Sequence, residues 1–376
     1  MPLWNVDFDC RLDVSDTELV ANVAKTNALA EVIHGLPLPP AVQFRIDSLN
    51  ILRAVRGTTG IEGTEVSETE VEQIMRSGPG HKVLPASRQR AEQEVRNAEK
   101  VMLFVASRLQ EEPDYPVTEH LIATIHRLTT ENIDYSNNEP GVYRSHAVHV
   151  ETYVPPRTRE EVQQLMTQFV EWLNLGPPRG WPAAVRAIAA HFYLVSIHPF
   201  GDGNGRTARG LESFLLYQGG INARGFYSLS NFYYQHRPEY VAMLDHVRFA
   251  TNGNITPFVK FALNGLVTEQ EVVHQEILAE MATIAFRDFA RETLMLDGKM
   301  ATKPGERMFH FLLGLPGNPV SAAQLRKGGH PLAELYHGVT SRTIIRDLDY
   351  LRSHSLIRLE GDQIHANVEA MRRFMA

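Results

Sequence analysis

His198-Pro-Phe-Gly-Asp-Gly-Asn-Gly-Arg-Thr-Ala-Arg209 is the stretch on which the interpretation of this sequence depends. It gathers one imidazole, one carboxylate, two guanidiniums and three glycines within twelve residues. The glycines, at positions 201, 203 and 205, let the backbone bend so that N–H groups turn inward and bind anionic oxygens. The stretch therefore predicts a phosphate-binding loop that leads into a helix.

The charged residues of this stretch suit the same kind of ligand. Arg206 and Arg209 are three residues apart, so a helix that begins near Gly205 places them on one face. The positive end of that helix points at the same anion. Asp202 can hold a divalent cation such as Mg²⁺, with phosphate oxygens completing its coordination. His198 is the group here whose ordinary pKa suits proton transfer near neutrality.

Each of these features has a structural explanation when it is taken singly. Asp-Gly-Asn-Gly is typical of a turn, a histidine beside proline is more often structural than catalytic, and two arginines on a helix usually form a solvated face. Their combined spacing favours the functional interpretation. At every fixed position the run matches the HPFxDGNGRxxR signature, and the sequence therefore resembles the Fic (Fido) family.

The resemblance implies a nucleotidyltransferase that moves AMP from ATP to a hydroxyl of a target protein or of itself. In that scheme His198 is the base that deprotonates a Ser, Thr or Tyr hydroxyl, and Asp202 is the Mg²⁺ ligand. The implied ATP-binding positions are Gly203, Asn204 and Gly205 as the anion hole, Arg206 at the β- and γ-phosphates and Arg209 at the γ-phosphate. Members that transfer phosphate carry Lys where Gly205 stands, so Gly205 favours AMP transfer.

A second motif, Thr58-Thr-Gly-Ile-Glu-Gly63, resembles the inhibitory signature of the same family. Thr58 and Glu62 are four residues apart, so a helix places them on one face, and Gly63 suits the helix end. Taken alone, this pattern is usually a helix C-cap. The resemblance implies that Glu62 pairs with Arg209 and competes with the γ-phosphate for the same guanidinium.

The composition indicates a globular protein with more than one core. The chain has 376 residues, of which 43% are hydrophobic, and this length suggests two or three domains. A net charge of −7 argues against strong nonspecific nucleic-acid binding by the whole chain. One cysteine, Cys10, excludes an internal disulfide framework and fits a reducing cytoplasm. No apolar run reaches the roughly 18–20 residues of a membrane span, and no signal peptide is evident, so we expect a cytoplasmic protein without a membrane partner.

The periodicity of apolar residues predicts a mainly α fold, with helices over 15–34, 88–110, 118–130, 158–175 and 182–197. We expect a helical N-terminal region over 1–115 with the inhibitory motif at 58–63, a Fic-type catalytic domain over 116–265, a connecting helix over 266–296 and a winged-helix-like domain over 297–376.

Residues 143–156 change to an alternating, strand-like pattern, which is typical of a surface hairpin. The resemblance makes this segment a flap that clamps the target beside the active site. The flap residues Val150, Glu151, Thr152 and Tyr153 would cover the nucleotide. The family also places a tyrosine near Tyr240 against the adenosine, although Val241 follows here where the family often has a second tyrosine.

The C-terminal eighty residues show three helical segments and then two short strands separated by Gly361-Asp362, which is the winged-helix order. Residues 340–351 resemble the recognition helix of bacterial regulators, in which Arg342 and Arg346 could contact DNA. Asp347 and Asp349 nearly cancel this positive charge, so we favour a protein-contact or dimerising role over DNA binding.

Two classes of function stay open. The first is an adenylyltransferase autoinhibited by Glu62, with the winged-helix-like domain choosing location or target. The second is a DNA-binding regulator with a Fic sensing core. The intact set at 198–209 favours the first. A subordinate alternative is removal of AMP by the same pocket, with Glu62 positioning a water. The target protein, the signal that relieves inhibition and homodimerisation stay open.

Overall fold

The computed structural model describes residues 8–9, 11–78, 80–150, 153–222 and 229–371. The chain divides into two compact units, Met1–His274 and Gln275–Ala376. The fold is mainly α, as predicted, with one small sheet among the described residues. None of the helices in these ranges combines the length and the apolar character that crossing a bilayer requires.

Within the described part of the first unit, eleven α-helices begin. They are α1 Thr17–Gly35, α2 Pro40–Ile61, α3 Glu68–Arg76, α4 Gln89–Glu111, α5 Glu119–Thr130, α6 Arg159–Leu175, α7 Ala183–Ile197, α8 Asn204–Gln218, α9 Leu229–Gln235, α10 Arg237–Ala250 and α11 Thr256–Leu296. Several starts follow from local chemistry, because the Thr118 hydroxyl caps α5 and the pair Thr158 and Glu161 forms a capping box at α6. All five predicted helices are present, with ends that differ by one or two residues.

Helix α7 lies at the centre of the first unit and packs against α8 and α6. Most of its surface is buried, including the small residues Ala187, Ala189 and Ala190. Such burial all round is typical of a central core helix. Because α8 packs along α7, the loop that joins them at residues 198–203 is held between two rigid helices.

Helix α2 approaches α9 closely at two glycines. A side-chain carbon on Gly57 would lie 2.6 Å from the backbone of Ser230, and one on Gly60 would lie 2.5 Å from the ring of Tyr234. Neither position has space for a larger residue without movement of the helices. These two glycines therefore allow α2 to end where it does, with Glu62 at its C-cap.

The helix predicted over 266–296 begins earlier, at Thr256, and runs without interruption to Leu296. Its first turns supply Phe258, Val259 and Leu263 to the core of the first unit, and the two compact units divide within it, after His274. The Thr-Pro sequence at 256–257 explains this start, since proline suits the first turn of a helix. The domain boundaries at 115, 265 and 296 stay predictions.

The second unit contains, after the end of α11, α12 Lys303–Gly314, β1 Val320–Ser321, α13 Ala322–Lys327, a 3₁₀ helix Pro331–Tyr336, α14 Ser341–Ser353, β2 Ile357–Glu360 and β3 Gln363–Ala366. The strands form an antiparallel sheet in the order β1-β3-β2, with Ile357 paired to Ala366. The order of elements is the predicted one, and β1 adds a third strand that the sequence pattern did not reveal.

Asp347 of α14 has a second cationic partner besides Arg346. It is buried, and one of its oxygens accepts hydrogen bonds from Arg307 on α12 at 2.6 and 3.1 Å. The other oxygen accepts a hydrogen bond from Arg346 at 3.4 Å, so the acid balances charge on its own helix and on the neighbouring one. The periodicity of α14 could not show the pairing with Arg307, which lies forty residues away.

Replacing Phe258 by Ala should lower the free energy of unfolding of the first unit by about 3–5 kcal/mol, because it removes a fully buried ring from a close-packed core. Denaturation in urea, followed by circular dichroism, measures the change. Phe44→Ala is the matched control, since that ring is 75% exposed and its loss should change stability by less than about 0.5 kcal/mol. Equal effects of the two substitutions would contradict this description of the core.

Candidate active site

The loop between α7 and α8 has left-handed backbone at both ends. His198 is the C-cap of α7 with a φ of 53°, and Gly203 is the N-cap of α8 with a φ of 74°. Glycine adopts this conformation at no steric cost, whereas a histidine there is strained and needs support from its surroundings. The backbone thus fixes the direction of the His198 imidazole.

The protonation state of His198 follows from its contacts. Its Nδ1 lies 3.2 Å from the carbonyl oxygen of Val195, which can only accept, so Nδ1 carries the proton and Nε2 presents its lone pair. Burial lowers the pKa of His198 to about 4. The imidazole is therefore neutral near pH 7 and able to accept a proton.

Asn204 serves the loop itself through its side chain. Its Oδ1 accepts from the Phe200 N–H and its Nδ2 donates to the Phe200 carbonyl, both at 2.9 Å. We predicted Asn204 as part of the anion hole, and its buried amide is occupied by these two bonds. Its backbone N–H, at the start of α8, is the group that faces the N-terminal end of the helix.

His126 on α5 supports the loop from the opposite side, a role that the sequence analysis missed. Its ring stacks on Phe200 with centroids 3.7 Å apart, its Nδ1 accepts from the Gly141 N–H, and its Nε2 lies 2.9 Å from the Asp202 carbonyl. Burial lowers its pKa to about 4, so it is neutral. A histidine on the mainly apolar, buried face of an amphipathic helix is the signal that could have identified it.

Asp202 is the candidate metal ligand. Its side chain is 44% exposed, with Oδ1 accepting from the Gly203 N–H at 2.5 Å and lying 3.1 Å from Arg206 Nη2. Among the described residues no group of three or more histidine, cysteine or acidic side chains could hold a metal. One exposed carboxylate nevertheless fits Mg²⁺ bound together with a nucleotide, because phosphate oxygens and water then supply the other ligands.

Arg206 is nearly buried and held by groups that the sequence did not reveal. Its Nη1 donates to the Tyr135 hydroxyl at 2.7 Å and lies 3.5 Å from the Glu94 carboxylate. The hydroxyl of Tyr135 donates in turn to Glu94 at 2.9 Å. Glu94 comes from α4, more than a hundred residues before Arg206, so only the tertiary fold brings them together.

Arg209 is 1% exposed, and its Nε and Nη2 bind the end of α2. Its Nε donates to Thr58 Oγ1 at 2.9 Å, and its Nη2 donates to the Thr58 carbonyl at 3.0 Å and to Glu62 Oε1 at 2.6 Å. The structure therefore brings together the three residues that the two separate motifs predicted. Burial disfavours ionisation of Glu62, but the charges of Arg209 and Arg206 keep its pKa below the usual value.

Gly205 lies next to the ion pair of Glu62 and Arg209. A side-chain carbon at position 205 would be 2.5 Å from Glu62 Oε1 and 3.1 Å from Arg209 Nη1. Glycine is thus the residue that lets the Glu62 carboxylate approach the N-terminal turn of α8. This turn has the positive end of a helix dipole and unpaired N–H groups, which favour a negative charge.

A cleft of about 180 Å³ opens beside these groups. Its lining includes Glu62, His198, Gly205, Arg209, Val150, Tyr153, Tyr240, Val241, Arg237 and Arg248. This volume is below the roughly 300–1,000 Å³ of typical small-molecule sites. Glu62 forms part of the wall of the cleft. Of the four predicted flap residues, Val150 and Tyr153 line the cleft, while Glu151 and Thr152 lie outside the described residues.

The flap prediction is confirmed in part among the described residues. Residues 143–150 contain no regular strand, but Val150 and Tyr153 exchange two backbone hydrogen bonds of 3.3 Å, which is the antiparallel pairing of a hairpin. The buried Arg144 connects this segment to the loop at 198–203, with Nε donating to the His198 carbonyl at 2.8 Å and Nη2 to the Pro156 carbonyl at 2.5 Å. Side-chain bonds to backbone carbonyls thus add to this short pairing.

The two tyrosines predicted to contact the nucleotide have engaged hydroxyls. Tyr153 is fully buried and donates to the carbonyls of Val195 and Ser196 at 3.0 and 3.1 Å. The Tyr240 hydroxyl lies 2.8 Å from Nε2 of His191, and its ring stacks on Tyr233. In both residues only the ring is left to line the cleft.

Comparison with known proteins agrees with this geometry. The sequence model of the Fic/DOC family matches residues 116–216. The "Protein adenylyltransferase Fic" of Aedes aegypti is 31% identical over 204 residues, which cover 54% of this chain and 38% of that protein. The chain thus spans less than half the length of this curated relative.

Two solved structures are also similar. Fic-1 from C. elegans has a TM-score of 0.57 and 26% identity, and the match covers 70% of this chain and 73% of that chain. A Fic family protein from Desulfovibrio desulfuricans G20 covers 97% of this chain and 98% of its own at 19% identity, with a TM-score of 0.54, and shows the same fold. Residues 116–216, which carry the loop at 198–203 and both arginines of α8, are therefore a domain of the Fic/DOC family.

Proposed function

We propose that this protein is an autoinhibited protein adenylyltransferase, which transfers AMP from ATP to a Ser, Thr or Tyr hydroxyl of a target protein or of itself. The contact between Glu62 and Arg209, 2.6 Å long and beside His198 in the same cleft, is the observation that carries this proposal. This contact places a carboxylate on one of the arginines that would otherwise bind the triphosphate. The names of the curated relatives support the activity, which the shared part of the chain alone does not establish.

The residues suit an in-line displacement at the α-phosphorus. Nε2 of His198 takes the proton of the attacking hydroxyl, whose oxygen bonds to phosphorus while the bond to the β-phosphate oxygen breaks and pyrophosphate leaves. Arg206, Arg209 and the N-terminal N–H groups of α8 stabilise the negative charge of the leaving group. Mg²⁺ at Asp202 would neutralise part of the phosphate charge.

Inhibition follows from competition between two anions for one cation. Arg209 is 1% exposed, and Thr58 and Glu62 occupy the Nε and Nη2 donors that a γ-phosphate would otherwise meet. The negative Glu62 also repels polyphosphate from the start of α8. A triphosphate therefore binds productively only after the Glu62 carboxylate has left, and the second unit is proposed to select the location or the target.

Replacing Glu62 by Gly should raise self-labelling from radiolabelled ATP by roughly ten- to a hundredfold, because a hydrogen bond to a charged group is worth about 1.5–3 kcal/mol. Labelling with ATP, GTP, CTP and UTP in cell lysate, followed by mass spectrometry, identifies the transferred group and the acceptor. Glu65→Gly, three residues further along an exposed segment, is the control. Unchanged labelling in the Glu62 variant would refute autoinhibition, and removal of label by wild-type protein would favour the reverse reaction.

Replacing His198 by Ala in the Glu62→Gly background should reduce transfer by about 10²–10⁴-fold while the affinity for ATP changes little, because a base acts in the chemical step. Transfer rates and calorimetric titration with ATP separate the two effects. His120→Ala on the exposed side of α5 serves as the control. An affinity loss that accounts for the whole rate loss would contradict the role of His198 as base.

The His198 imidazole should stay neutral when the pH falls from about 8 to about 5, since burial lowers its pKa to about 4. Below that pKa it gains a proton and can no longer act as a base. An NMR titration of ¹³C-labelled histidine measures this directly, with the His198→Ala spectrum for assignment. A midpoint near 6.5, the ordinary value for histidine, would show that the ring is not desolvated as described.

A further inference from the structure

A chain of polar contacts connects the end of the inhibitory motif to Arg206. The Thr64 hydroxyl donates to Glu94 Oε2, and the Tyr135 hydroxyl donates to the other oxygen, Oε1, at 2.9 Å. Arg206 Nη1 donates to the Tyr135 oxygen at 2.7 Å. The Glu94 carboxylate on α4 thus accepts hydrogen bonds from two hydroxyls. Thr64 follows the inhibitory motif, and Tyr135 contacts Arg206.

Thr64 occupies a position from which it can restrain Glu62. Gly63, with a φ of 88°, turns the backbone after the C-cap of α2, and the Thr64 N–H then bonds back to the Thr59 carbonyl at 3.2 Å. The Thr64 side chain therefore leaves the helix end two residues after Glu62 and reaches Glu94 on a different helix. The segment is held by this side-chain bond as well as by its own backbone.

Glu94 is suited to hold both partners at once. It is only 7% exposed, and each of its oxygens accepts a hydrogen bond from a hydroxyl. Arg206 lies 3.5 Å away and Arg90 lies 3.3 Å away, so cations balance its charge in a mostly buried place. Burial raises the pKa of Tyr135 to about 12, which keeps its hydroxyl protonated and able to donate.

We propose that Glu94 is a positioning residue that orients Arg206 through Tyr135 and tethers the inhibitory segment 62–64 through Thr64. The inference rests on the proposed function for its effect on transfer. In this arrangement the same carboxylate supports the phosphate-binding arginine and the element that blocks the site. The two connections are separable, because each depends on a different hydroxyl.

Removal of each of the two hydroxyls should have a different kinetic effect. Thr64→Val removes only the tether, so self-labelling should rise about fivefold when Glu62 is present and stay unchanged in the Glu62→Gly background, where nothing is left to restrain. Tyr135→Phe removes only the link to Arg206. In the Glu62→Gly background it should raise the KM for ATP about fivefold, change kcat by less than about twofold and leave inhibition in place when Glu62 is present.

The experiment measures self-labelling in Thr64→Val and Tyr135→Phe proteins, each with Glu62 and with Gly at that position. Thr69→Val, an exposed threonine on α3, is the matched control. Hydrogen exchange of the backbone amides of residues 60–66 gives a measurement that does not depend on catalysis. These amides should exchange faster in Thr64→Val than in wild type and Thr69→Val, while the unfolding temperature of the protein falls by no more than about 4 °C.

The outcomes separate this inference from the proposed function. If Glu62→Gly shows no transfer, the proposed function fails, and the exchange of residues 60–66 still decides whether the tether exists. Equal exchange in Thr64→Val and wild type overturns the tether. A loss of transfer by Thr64→Val in the Glu62→Gly background would show a general structural role, and an unchanged KM in Tyr135→Phe would overturn the orienting of Arg206.

Discussion

The guanidinium of Arg209 sets the constraint on which the catalytic unit depends. A cation that is 1% exposed needs hydrogen-bond partners inside the protein, and Thr58 and Glu62 supply them for Nε and Nη2. This requirement fixes the end of α2 against α8. The glycines at 57 and 60, which let α2 approach α9, therefore contribute to the same contact from a distance. The contact between Glu62 and Arg209 is thus part of the packing of the first unit as well as of the proposed regulation.

The catalytic loop is supported mainly by groups outside its own motif. His126 binds the Asp202 carbonyl, Arg144 binds the His198 carbonyl, and the Asn204 amide clamps Phe200. These bonds hold the backbone and leave Nε2 of His198 and the exposed part of Asp202 free for chemistry. Rigid support of this kind places reacting groups before a ligand arrives, which is a general requirement for efficient transfer.

The sequence predicted the helices and the pairing of Arg209 with Glu62 because both depend on local pattern or on a long, specific motif. Apolar periodicity located α5, α6 and α7 to within one or two residues. It could not identify Glu94, Tyr135 or the burial of Asp347, since each depends on a partner distant in sequence. The flap was predicted as strands because its residues alternate. The structure pairs only Val150 with Tyr153 among the described residues and also holds the segment through the Arg144 side chain, which the alternation could not reveal.

The absence of a side chain at position 205 affects both the position of the Glu62 carboxylate and the proposed reaction. A single carbon there would lie 2.5 Å from the Glu62 oxygen, and the flexible end of that glutamate, rather than the helix backbone, is what would have to give way. Replacement of Gly205 by any larger residue would therefore displace the Glu62 carboxylate from its contact with Arg209. Under the proposed function, such a substitution would also end the competition for Arg209, so that it would affect the reaction and its inhibition in the same mutational step.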